Sequence, residues 1–159
     1  MKISEHFFIQ DYCSKKIYDK WGEKSVWFID MRVVRIDELL WSRTGKQVII
    51  NTWKDGGTLN YRGFRDDSYY YENGNLKQGV VGLLSQHRFC RASDKNVVGL
   101  TPEEVYKEII NNFSIYSRAG LTTIEDIAIT TGKIKDDMGG WVHTDCRQVS
   151  QEEILIVKP

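Results

Sequence analysis

The chain has 159 residues, 41% hydrophobic and 28% charged with only two prolines, which fits one soluble globular domain and argues against disorder or a linker between domains. Lysine and arginine total 22 against 22 acids, so no net charge favours nucleic acid, and no apolar run approaches the roughly 20 residues of a membrane span. The N-terminus lacks a basic segment followed by a signal-like apolar stretch, so cytoplasmic synthesis is expected, as a monomer without a membrane partner. Cys13, Cys90 and Cys146 are too few and too odd for a secreted disulfide framework and are expected to be free thiols.

In chain order, Asp30 is a helix cap, with Met31, Val34 and Leu39 approximating an apolar stripe and Gly45 as the stop. Gln47 to Trp53 is short and β-branched and predicts a largely buried strand ending before Gly56-Gly57. Residues 54 to 84 are rich in Gly, Asn, Asp and Tyr without a sustained period, a long loop of the kind that carries substrate contacts. Thr101-Pro102-Glu103-Glu104 has the residues of a capping box, and Val105, Ile109, Phe113 and Tyr116 continue that helix on one face to Gly120. Leu121 to Ile129, Trp141 to Arg147 and Ile154 to Val157 are β-prone, with turn residues from Thr130 to Gly140. The expectation is an α+β fold: a small, mostly antiparallel sheet with flanking helices, in a single domain spanning 1–159.

Two of the three histidines stand near carboxylates in extended-looking segments. His87 and Asp94 lie seven positions apart, and His143 lies two before Asp145. Zinc is commonly held by imidazole and carboxylate, with three protein ligands and one open position where it does chemistry, so His87, Asp94 and His143 are a candidate set. On a strand, Trp141, His143, Asp145 and Arg147 share one face and Val142, Thr144 and Cys146 the other. A lone strand histidine is more often merely hydrogen-bonded, and His87 and Asp94 meet only if a turn folds between them.

Ser85-x-His87-x-x-Cys90-x-Ala92-x-Asp94 resembles the Ser-x-His-x-x-Gly-x-Ala-x-Asp motif of the zinc D-alanyl-D-alanine carboxypeptidase and phage endolysin family, whose fold is related to the hedgehog signalling domain. Trp141-Val142-His143-Thr144-Asp145 is similar to that family's Trp-Val-His-x-Asp segment, and Gly63-Phe64-Arg65 to its Gly-Tyr-Arg segment. The resemblance spans roughly residues 30 to 147 and implies Zn2+ on His87, Asp94 and His143, hydrolysis of peptidoglycan peptides by a phage or prophage lysis enzyme, and action on the cell wall after release. It also implies that Arg65, with Arg62 as competitor, meets substrate carboxylate or oxyanion. The general base implied is Asp137, six before His143, with Asp136 next; Gly140, three before, is inert. Asp145 is a candidate to orient a zinc-bound histidine.

Three residues depart from the pattern. Cys90 replaces glycine and is also a conceivable thiolate ligand, and Ser93 and Lys95 flank Asp94 where apolar residues are usual. A non-catalytic zinc module, or a phage structural component carrying this domain, is the competing reading. Tyr69-Tyr70-Tyr71 is either strand packing or the wall of a peptide groove.

Overall fold

A computed structural model describes residues 1–78, 84–131, 139–149 and 153–158. The chain begins with two short helices, α1 (Ile9–Tyr12) and α2 (Lys15–Trp21), then a 3-10 turn over Gly22–Phe28. Helix α3 (Met31–Thr44) follows with the expected ends: the Asp30 carboxylate accepts from the Arg32 amide, and Gly45 closes it at φ +63°. Its inner face is not the expected one. Val33, Val34, Ile36, Asp37 and Leu40 are buried, while Leu39 is half-buried and Met31 lies exposed in the first turn.

Strand β1 (Val48–Ile49) is shorter than Gln47 to Trp53 predicts. Beyond it the chain is drawn off the sheet, because Asn51 Nδ2 and the Trp53 indole both donate to the Cys13 carbonyl, at 3.0 and 2.8 Å. The long loop is locally folded into α4 (Asp67–Tyr70) and a hairpin of β2 (Tyr71–Glu72) and β3 (Asn75–Leu76). Strand β4 (Ala92–Val97) leads to α5 (Pro102–Asn111), where the capping box forms in both directions. The expected single helix breaks at Asn112. Its side-chain amide donates to the Glu108 carbonyl at 2.8 Å and its backbone leaves the helical region, so α6 (Phe113–Ala119) starts afresh and ends at Gly120.

Strand β5 (Thr123–Glu125) stops early because Asp126 caps α7 (Ile127–Thr130), accepting from the Ala128 amide at 3.0 Å. Strands β6 (Val142–Asp145) and β7 (Leu155–Val157) complete a five-stranded sheet of order β1-β4-β6-β5-β7. All its pairs are antiparallel except β5 with β7. The fold is therefore α+β, as expected. Among the described residues no helix is long and apolar enough to cross a membrane.

The face of β4 turned toward α3 explains Ser93 and Lys95. Both are fully buried and reach the fully buried Asp37, Ser93 Oγ at 2.8 Å and Lys95 Nζ in a close ion pair; Lys95 Nζ also donates to Thr144 Oγ1 and Tyr12 Oη donates to Asp37 at 3.1 Å. Apolar neighbours are replaced by a satisfied polar cluster, built by one acid on α3. Lys95→Met is expected to cost about 3–5 kcal/mol in urea denaturation, because it strands the Asp37 charge, while Lys95→Met combined with Asp37→Leu recovers most of that loss. Additive losses would contradict this account.

All three cysteines are free and buried. Burial pushes the Cys13 and Cys146 thiols up to about 12 and Cys90 higher still, so thiolate is scarce at pH 8. Thiol titration is expected to find little fast reaction in the native chain and three thiols in denaturant without reductant; a count of one would mean a disulfide.

Candidate metal centre

His87 sits in a 3-10 turn over Gln86–Phe89, where Ser85 Oγ accepts from the His87 amide. Its Nδ1 lies 2.7 Å from the Gly63 carbonyl, which can only accept, so Nδ1 carries the proton and Nε2 keeps its lone pair. Gly63 is needed for this approach: a Cβ there would come within 2.3 Å of the Tyr12 carbonyl oxygen, to which the Phe64 amide donates. After His87 the chain reverses at Cys90, at φ +48° and ψ +43°, the left-handed conformation that explains glycine in the resembled motif. Cysteine tolerates it here with its side chain buried in the core rather than at the site.

That reversal brings in β4, and strand pairing does the rest. In the β4–β6 register Asp94 stands directly opposite His143, and Ala92 opposite Asp145, on the face away from α3. His87 Nε2, His143 Nδ1 and Asp94 Oδ1 form a triangle with sides of 3.2, 3.2 and 2.8 Å. All three residues are buried, and the group can hold a metal ion. The outer contacts suit that use. His143 Nε2 lies 3.5 Å from Asp145 Oδ2, Asp145 is clasped by Arg147, and the second Asp94 oxygen accepts from Arg65 Nη2 at 2.6 Å.

Charge is distributed unevenly over the triangle. Burial raises Asp94 on its own, but His87, His143 and Arg65 outweigh it and hold the carboxyl well below its usual range. Burial lowers His87 and keeps it neutral. Burial opposes charge on His143 too, but Asp145 and Asp94 overcome it and push its pKa up to about 9, so without metal this ring is an imidazolium between two carboxylates.

Arg65 is thus partly committed, with Nη2 on Asp94, Nε on the Tyr61 carbonyl at 2.8 Å and its plane 4.8 Å over Tyr69. Arg62 lies over Trp141 and bonds Asn96, while its carbonyl accepts from the Asp94 amide at 2.8 Å. Tyr61, Arg62, Arg65, Tyr69 and Trp141 line a groove of about 360 Å³ that reaches Asp94. Of the tyrosine run, Tyr69 walls this groove whereas Tyr70 is core-buried. A second histidine group, Glu5, His6 and Glu38, lies at the surface, with His6 bonded to Glu38 and stacked on Trp41.

Asp136 and Asp137 lie outside the described residues. Gly140 cannot carry an acid, since a Cβ there would come within 2.2 Å of the Thr130 carbonyl oxygen and φ is +114°. Among the described residues, the acid that joins Asp94 and Asp145 near the site is Glu125, which no motif in the sequence marks. β5 pairs with β6 so that Thr123 faces Asp145 and Ile124 faces Thr144; one step on, Glu125 comes beside His143 on the metal face. It is half-buried, and burial raises its pKa against the opposing pull of His143. Alternation in Thr123-Ile124-Glu125 was a usable signal, but only the strand order puts that face next to His143.

No family model matches the chain, and neither does any curated protein or solved structure.

Proposed function

We propose that this chain is a zinc-dependent peptidase that hydrolyses the stem peptides of bacterial peptidoglycan, as a phage or prophage lysis enzyme. The observation that carries the reading is the ligand triangle at the end of an aromatic-walled groove, with a spare carboxylate beside it. Atoms about 2.0–2.2 Å from one zinc at tetrahedral angles lie about 3.3–3.6 Å apart. The two sides of 3.2 Å through His87 already approach that spacing, and the Asp94–His143 side of 2.8 Å needs to open by about half an ångström. Two nitrogens and one carboxylate oxygen, each held from behind, suit zinc and leave a fourth position open.

Zinc bound there supplies a Lewis acid that polarises a peptide carbonyl and makes water nucleophilic near neutral pH. Glu125 accepts the proton of the attacking water and returns it to the leaving amine, its raised pKa bringing it nearer to neutrality than an ordinary glutamate. Arg65 keeps Asp94 turned toward the ion and contributes a positive charge to the groove, where it favours a substrate carboxylate or the developing oxyanion. Tyr61, Tyr69 and Trp141 offer flat walls to an extended peptide. A zinc-bearing module that binds without cleaving is the second reading, favoured by the blocked side chain at Gly140. Incubating zinc-loaded chain with defined muropeptides and resolving products by mass separates the two: cleavage of an amide bond in the stem supports the peptidase, and intact peptide with measurable binding supports the module.

A further inference from the structure

We propose that a row of exposed aromatic rings and unpaired lysines beside the metal groove docks the insoluble peptidoglycan strand, separately from the site that cuts it. This deepens the peptidase reading and rests on it for the identity of the polymer. Trp21 and Phe28 are 42% and 37% exposed, large rings left open at the surface. They are ordered into a path. Trp21 meets Phe28 edge-on at 5.9 Å, and Phe28 stacks on Phe64 at 5.8 Å. Phe64 precedes Arg65, whose guanidinium holds the Asp94 ligand. Phe28, Phe64, Ile17, Lys16, Lys20 and Arg65 line a cavity of about 380 Å³, and Arg65 also lines the groove at Asp94.

The charges on this path face outward for a partner. Lys20 Nζ lies 5.0 Å over the Trp21 ring, and neither Lys20 nor Lys16 pairs with a carboxylate among the described residues. The acids of the same cavity are engaged, Asp67 with Arg88 and Asp66 with Ser14 and Ser68. Flat rings with adjacent cations complement sugar rings that carry carboxylated peptides. The glycan lies on Trp21 and Phe28, carboxylates of its stem peptides meet Lys16 and Lys20, and one stem passes over Arg65 into the groove.

The test is co-sedimentation of the zinc-loaded full chain with purified cell walls, on ice, beside vesicles of anionic lipid. Trp21→Ala and Lys16→Glu/Lys20→Glu are each expected to weaken wall binding by about tenfold or more, with thermal midpoint, zinc content and hydrolysis of a short soluble stem peptide unchanged. Wild-type affinity in both variants would overturn the proposal. So would wild type sedimenting with vesicles but not walls, which would make the patch a lipid contact. Wall binding that falls in both variants, from a chain that cuts no soluble stem, supports the docking surface and removes only the peptidase reading.

Discussion

Glu125→Gln is expected to lower turnover on a soluble stem peptide by on the order of a hundredfold or more, the range usual for a general acid–base group, without loss of zinc or fold. Glutamine keeps the size of the side chain and removes only its capacity to hold a proton, so a selective fall in kcat separates chemistry from packing. The pH profile supplies a second reading. The base must be ionised, and burial raises its pKa, so the acid limb of kcat/KM should lie above an ordinary glutamate value and activity should fall as pH drops through it. That limb should vanish in Glu125→Gln. Asp137→Asn, tested beside it, examines the base that the resemblance implies. Full activity in Glu125→Gln with collapse in Asp137→Asn would move the role to Asp137.

His87→Ala and His143→Ala are each expected to abolish stoichiometric zinc binding in protein purified without a histidine tag. With zinc at roughly a hundred to a thousand times Kd, binding adds about 3–4 kcal/mol to the native state, and these variants forfeit it. They should therefore melt well below zinc-loaded wild type and close to metal-free wild type. Asp94→Asn should behave worse than its small change in size suggests, because it also leaves the Arg65 guanidinium facing a neutral amide in a half-buried position. Unit zinc in both histidine variants would sink the ligand assignment.

The grouping of His87, Asp94 and His143 was legible in the sequence because each member sits in a motif whose local geometry is short-range. Ser85 caps the turn that carries His87, Cys90 reverses the chain, and period-two alternation puts Asp94 and His143 on one sheet face, away from α3. Helix ends marked by strong caps, at Asp30, Gly45 and Thr101, also fell where the sequence put them. What escaped depends on long-range pairing. For Glu125 the local alternation fixes only a strand face, and it comes near the site because β5 lies next to β6. Ser93 and Lys95 read as departures until Asp37, 56 and 58 positions away, accounts for them. Strand lengths were overestimated at Gln47 to Trp53 and Leu121 to Ile129, where side chains of Asn51, Trp53 and Asp126 capture backbone groups and turn the chain out of the sheet. Arg65 stood out in the sequence, but its bond to Asp94 was not legible there.

The most direct measurement is a zinc titration of metal-stripped chain, with hydrolysis of a defined peptidoglycan stem peptide followed at each addition. The account predicts no cleavage without metal, and activity that rises linearly and saturates at one zinc per chain. Cleavage undiminished after metal removal, or a chain that fills with one zinc and cleaves no stem peptide, would contradict it.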